Sequence, residues 1–131
     1  VLKKAQNLGY AEPGNPKLDL NGFDAFAKVR ILSALAFNNQ ISKHPCIMEG
    51  IENIDLKDIK IANQLNLRIK LLGISEIINN QLFETVHPCL VSKDSYIGNH
   101  SSKLVIKRIK NESSRMTIFM FFGWWWYHIY Y

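Results

Sequence analysis

Residues 5–28, AQNLGYAEPGNPKLDLNGFDAFAK, form the most informative stretch of this 131-residue chain. The segment PGNP at residues 13–16 disfavours regular structure, because proline lacks a backbone N–H and restricts the residue before it. We therefore predict an irregular loop here, and it carries two acids, Glu12 and Asp19. Such a loop, rich in carboxylates and followed by a helix, suits a polar substrate.

The helix after this loop is predicted to run from Asn21, a suitable N-cap, to about Phe37. Its apolar residues lie on nearly every side of the helix, which is typical of a helix packed on more than one side. Asp24, expected at the N3 position, and Lys28 are the exceptions, and their spacing places them on one face. Taken alone, an acid and a lysine at this spacing are usually a solvated surface pair.

The rest of the chain predicts an α+β fold, a mixed β-sheet with helices packed on one face. Apolar and polar residues alternate in several predicted strands, and Pro88 is expected to disturb one of them. The predicted elements are a helix over 1–8 closed by Gly9, a short strand at 47–51, a helix from Asp55 to near Asn66, strands at 67–74 and 82–91, and a possible hairpin of 103–109 with 117–122.

Composition narrows the classes of partner. Sixteen Lys and Arg against eleven Asp and Glu give a net charge of +5, but much of the excess lies in residues 103–115, so we expect no nucleic-acid partner.

The two cysteines make no CxxC spacing, which indicates a reducing, cytoplasmic compartment. The tripeptide His-Pro-Cys occurs at 44–46 and again at 87–89. Two His and two Cys could hold zinc, but neither tripeptide has a usual ligand spacing, and we expect no metal.

The opening stretch resembles the signature of the homoserine dehydrogenase family. Further resembling segments at 31–37, 49–51, 58–60, 68–74 and 86–88 extend the likeness over residues 1–98. The matching signature positions are Ala5, Gly9, Tyr10, Ala11, Asn15, Pro16, Asp19, Leu20, Gly22, Asp24 and Lys28.

The resemblance implies an oxidoreductase that interconverts L-homoserine and L-aspartate 4-semialdehyde with NAD(P) in threonine, methionine and isoleucine biosynthesis. It implies that this chain is the substrate and dimerisation domain of a two-part dehydrogenase, a homodimer when intact. By the match, Lys28 is the proton donor and acceptor, and Glu12 holds the substrate. Asp19, Asp24 and Tyr10 line the same pocket, and NAD(P) is bound mainly by a domain outside this chain.

Two regions limit the resemblance. The chain begins at Val1 with no signal peptide, so we expect an internal segment that lacks the glycine-rich nucleotide turn. Residues 99–131 form a divergent basic and aromatic tail that contains three consecutive tryptophans. Because GGT glycine codons read out of frame give TGG, the tryptophan codon, we hypothesise a frameshift or truncation after Gly98.

The alternative reading is a noncatalytic, degenerate fragment that acts as a dimerising or interaction module. Its aromatic tail could bind a membrane interface, although the run is short for a membrane span and we expect no membrane partner.

Overall fold

The computed structural model describes residues 17–38, 43–78, 81–99, 107–110 and 116–122, the last two segments and residues 18 and 19 by backbone alone. In chain order the elements are α1 (Lys17–Leu20), α2 (Phe23–Phe37), β1 (Ile47–Met48), α3 (Leu56–Gln64), β2 (Leu67–Ile78), β3 (Gln81–Ser92), α4 (Tyr96–Asn99), β4 (Lys107–Lys110) and β5 (Met116–Phe122).

The strands form one sheet in the order β1-β3-β2-β5-β4. Its centre is the long antiparallel pair of β2 and β3, in register from Leu67 opposite Ser92 to Ile78 opposite Gln81. β1 runs parallel to β3, whereas β5 lies antiparallel to both β2 and β4. The sheet is therefore mixed, and the predicted α+β fold is confirmed.

Helices α2 and α3 lie on the same face of this sheet. The core brings Ala25 and Val29 of α2 against Leu71 and Val86. α3 lies over the same face, beside Ile69, which has the same side-chain direction as Leu71 because alternate residues of a strand share a face. Both helices therefore pack on one face of the sheet, as predicted.

The start and the packing of α2 differ from the prediction. Asn21 is not its N-cap, because Gly22 occupies that position with a φ of 84°, and Asp24 is therefore at N2 and not at N3. The Asn21 side chain still satisfies the helix start, since its Oδ1 accepts a 3.0 Å hydrogen bond from the Phe23 N–H. Packing on more than one side is also wrong for the described residues: a single sheet covers one side, and Leu35 on another is 73 % exposed.

Other boundaries were also corrected. Asp19 lies in α1, a single helical turn, and not in an irregular loop; a proline just before Lys17 is compatible with a helix start. β1 is shorter than predicted and ends at Met48. β3 runs unbroken through Pro88, contrary to the prediction. β1 pairs with β3 only at Thr85 and Val86, so the N–H that Pro88 lacks is not needed for that pairing.

The predicted cap of α3 is confirmed. Asp55 Oδ1 accepts hydrogen bonds from the Lys57 and Asp58 amides at 2.7 and 3.0 Å, and Asp58 Oδ2 accepts from the Asp55 amide at 2.9 Å. This reciprocal capping box fixes the entry of α3. The predicted hairpin near the end of the chain is confirmed as β4 and β5, which pair from Lys107 opposite Phe119 to Lys110 opposite Met116.

The predicted helix over residues 1–8, the turn at 79–80 and the tryptophan run lie outside the described residues. Within the part of the chain that the structure describes, no helix has both the length and the apolar character to cross a membrane.

Candidate functional site

The predicted pair of Asp24 and Lys28 forms in the first two turns of α2. Lys28 Nζ lies 2.5 Å from Asp24 Oδ2, and the two side chains are 51 % and 47 % exposed. Their neighbours Ala25 and Val29 are buried against the sheet, so the pair lies on the accessible side of a firmly packed helix. An amine and a carboxylate in this position are in contact with each other and within reach of a ligand.

Asp19 lies close to this pair along the chain. α1, which contains Asp19, and α2, which contains Asp24 and Lys28, are separated by Asn21 and Gly22 alone. The left-handed conformation of Gly22 suits glycine, because a side chain there would be strained. The other two predicted site residues, Tyr10 and Glu12, lie outside the described residues, so the structure brings together Asp24 and Lys28 only.

A second ion pair on α2 was not predicted from the sequence. Arg30 Nε lies 3.1 Å from Glu84 Oε2 of β3, and the side chains are only 12 % and 3 % exposed. The Arg30 guanidinium also donates to the His44 carbonyl oxygen and lies 4.8 Å from the centre of the Phe26 ring. Arg30 therefore ties α2 both to the sheet and to the segment before β1.

Glu84 is part of a buried polar strip beneath α2. It lies opposite Ser75 in the sheet, and Ser75 Oγ makes a 2.7 Å hydrogen bond with Ser33 Oγ, both residues being fully buried. Alternation along the predicted strand puts Glu84 on the same face as Leu82 and Val86. That signal could have identified Glu84 as a buried acid in need of a cation.

The two cysteines have different surroundings. Burial raises the pKa of the Cys46 thiol, and the Glu84 carboxylate raises it further, although Arg30 and a backbone hydrogen bond from Val86 act in the opposite direction. Burial alone raises the pKa of Cys89, whose Sγ lies 3.2 Å from His87 Nδ1. Among the described residues, which include both His-Pro-Cys tripeptides, no three His, Cys, Asp or Glu side chains are grouped as metal ligands.

An apolar groove of about 290 Å³ lies between α3 and the sheet, and Ile61, Leu65, Ile69 and Leu90 contribute to its lining. Asp58 is the acid of this groove, and its Oδ2 accepts the Asp55 amide in the capping box. The groove thus offers a surface for apolar contact, whereas acid–base chemistry requires the Asp24–Lys28 pair.

The described residues offer little for a dinucleotide. No glycine-rich turn joins a strand to a helix in this part of the chain, and such a turn is what holds a pyrophosphate in dinucleotide-binding folds. Of the described glycines, Gly22 and Gly50 lie near the Asp24–Lys28 pair, and they are in close contact with other backbone or with Val86. The arrangement can hold and transfer a proton, and the described residues include no pyrophosphate-binding turn of this kind.

Sequence comparison finds relatives over most of the chain. The family model for homoserine dehydrogenase matches residues 1–123. The chain is 38 % identical over 119 residues to homoserine dehydrogenase of Neisseria gonorrhoeae, covering 91 % of this chain and 27 % of that protein. It is 39 % identical over 98 residues to the Helicobacter pylori enzyme, covering 75 % and 23 %. The chain thus spans about a quarter of the length of these relatives.

Solved structures show the same similarity. The homoserine dehydrogenase of S. aureus at pH 7.5 superposes with a TM-score of 0.74 at 30 % identity, over 91 % of this chain and 30 % of that one. The homoserine dehydrogenase of Thiobacillus denitrificans gives a TM-score of 0.74 at 34 % identity, over 94 % and 28 %.

Proposed function

The chain belongs to the homoserine dehydrogenase family, and we propose that it is the substrate-binding part of an enzyme that interconverts L-homoserine and L-aspartate 4-semialdehyde. The whole reaction is proposed for an enzyme of full family length, because this chain spans about a quarter of its relatives. In that enzyme the pathway is the biosynthesis of threonine, methionine and isoleucine in the cytoplasm, and the assembly is a homodimer.

The observation that carries this proposal is the accessible Asp24–Lys28 pair. Oxidation of a primary alcohol to an aldehyde releases a hydride and the hydroxyl proton. Lys28 Nζ takes that proton and returns it in the reverse direction, and the Asp24 carboxylate keeps the amine oriented and balances its charge. A nicotinamide cofactor, NAD or NADP, supplies the hydride acceptor when bound.

The other assigned residues bind the substrate. L-homoserine carries an ammonium group, and a carboxylate such as Glu12 is its natural partner. Asp19 and Tyr10 are proposed to line the same pocket, with Asp19 brought near α2 by the two-residue turn after α1.

The division of the chain is a proposal as well. Residues 1–98 are assigned to the substrate domain and residues 99–131 to a divergent tail. The family match runs to residue 123, and β5 pairs with β2 from Met116 to Phe122. Both observations favour a substrate domain that extends beyond residue 98, and they favour a position near Gly123, after β5, for the hypothesised break in the reading frame.

An activity assay tests the proposal. An enzyme of full family length that contains this segment should reduce NAD(P) when L-homoserine is added, and should oxidise the reduced cofactor with L-aspartate 4-semialdehyde. The 131-residue chain alone should show weak activity or none, because the described residues offer no cradle for the cofactor. If the full-length enzyme has no such activity, the interaction-module alternative is supported.

A further inference from the structure

The segment Glu49–Ile51 leaves the edge of the sheet directly after β1. β1 pairs with Thr85 and Val86 of β3, and the Glu49 N–H continues the ladder with a 2.8 Å hydrogen bond to the Val86 carbonyl oxygen. Val86 is fully buried, and the Ile51 side chain packs against the same core. The segment is therefore attached to the buried core of the fold.

The same segment holds the turn between α1 and α2. The Ile51 N–H donates a 2.8 Å hydrogen bond to the Leu20 carbonyl oxygen. A methyl carbon added to Gly50 would overlap that oxygen and would lie 2.5 Å from Asn21 Cα. Both neighbours are backbone atoms, so no side-chain rotation can relieve the contact. Only glycine allows the two backbones to approach this closely.

The turn between α1 and α2 also determines where α2 begins. Gly22 lies against the Val86 side chain and the Glu49 carbonyl oxygen. A methyl carbon added to Gly22 would lie 3.4 Å from the Val86 side chain and 3.6 Å from that oxygen. Its own carbonyl oxygen accepts the first helical hydrogen bond, from the Phe26 N–H at 2.9 Å. A shift at Gly50 is therefore transmitted through Asn21 and Gly22 to the first turns of α2.

We infer that Glu49–Ile51 is a positioning element, and that Gly50 sets the distance between the sheet and the turn that connects Asp19 to the helix of Asp24 and Lys28. Gly50 is proposed to act through these residues and not through a contact of its own with substrate. This inference rests on the proposed function for its catalytic consequence, whereas the backbone contact itself does not depend on it.

The chain offers a matched control. A methyl carbon on Gly98 would also overlap a backbone oxygen, that of Ser92, and would lie 2.7 Å from the Ser92 carbonyl carbon. Gly98 lies in α4, beside the end of β3. Gly98→Ala thus causes a comparable backbone clash at a different place, and it separates loss of stability from loss of positioning.

The test compares G50A, G98A and K28M in an enzyme of full family length that contains this segment, with rates normalised to the folded fraction. Displacement of catalytic groups by about 1 Å can cost about 100-fold, so G50A should lower kcat/KM for L-homoserine by about that factor, with a changed KM. G98A should leave kcat/KM within about twofold while lowering the melting temperature. Equal losses in G50A and G98A, or an unchanged kcat/KM in G50A, would overturn the inference.

The outcomes separate the two proposals. If K28M is inactive and G50A behaves like G98A, only the positioning role fails. If K28M keeps the wild-type kcat and G50A still lowers kcat/KM, the assignment of Lys28 fails and the positioning role remains. Amide exchange in the unaltered 131-residue chain needs no variant: the Ile51 N–H should exchange about 100-fold more slowly than an unstructured amide, and an unprotected Ile51 amide would contradict the contact.

Discussion

Lys28 donates to the Asp24 carboxylate one helical turn earlier, and about half of each side chain remains exposed. Arg30, two residues further along α2, makes a different kind of pair, because its guanidinium and the Glu84 carboxylate are almost fully buried. One helix therefore carries an accessible ion pair next to a buried one. We expect the first to contribute chemistry and the second to contribute rigidity.

The accessible pair should add little to folding. Asp24→Asn is expected to change the free energy of unfolding by less than about 1 kcal/mol, because solvent screens an ion pair with half-exposed partners. Urea unfolding of the 131-residue chain measures this change. A loss above about 2 kcal/mol would mean that the pair is a structural contact, contrary to its proposed role.

The buried pair should behave in the opposite way. Glu84→Ala is expected to destabilise the fold by about 3–5 kcal/mol, since it leaves the Arg30 cation buried without its carboxylate. Glu52→Ala, at an exposed acid in the turn before α3, is the control and should stay within about 0.5 kcal/mol. Equal effects of the two substitutions would show that the Glu84 carboxylate is not needed in the core.

Thiol reactivity tests the charges around Cys46. The Glu84 carboxylate helps to raise the pKa of Cys46, so Glu84→Gln should lower that pKa, increase the thiolate fraction at pH 8 and speed alkylation by more than about twofold. Cys89 is an internal control, because burial alone raises its pKa. Mass spectrometry of the two cysteine peptides gives both rates. A slower or unchanged rate at Cys46 would contradict the described arrangement of Glu84 and Cys46.

Local signals in the sequence predicted most of the fold. Asp55 and Asp58 mark the start of α3 because a capping box needs only residues of one turn. The alternation of Leu67, Ile69 and Leu71 predicts a strand with one buried face. β2 confirms the strand, but its burial does not alternate, because Leu71 and its neighbour Leu72 are both buried. The ends of elements were less predictable, since the start of α2 depends on the left-handed conformation of Gly22 and on what lies against it.

Contacts between distant residues were beyond prediction from one sequence. Arg30 and Glu84 are far apart along the chain, and alternation shows that Glu84 faces inward without showing which cation it meets. The role proposed for Gly50 depends on its close contact with the backbone of Leu20 and Asn21, which are distant from it along the chain. By contrast, the spacing of Asp24 and Lys28 was sufficient to predict their contact, because both lie on one helix.

The coding DNA tests the hypothesis about the tail. A shifted frame downstream of the codon for Gly123 should restore a glycine-rich continuation in place of the tryptophan run. Sequencing the locus on both sides decides this. The hypothesis fails if neither alternative frame encodes such a continuation, and an upstream frame with a strand, a glycine-rich turn and a helix would support the enzyme over the interaction module.

The most direct test of the central claim is the kinetics of Lys28→Met in an enzyme of full family length that contains this segment. Loss of a general acid–base group lowers kcat by about 100-fold or more, so kcat for L-homoserine should fall at least that far while KM changes much less. Lys57→Met, at an exposed lysine of α3, is the matched control and should keep the wild-type kcat. A Lys28→Met enzyme with the wild-type kcat would contradict the role of Lys28 in proton transfer.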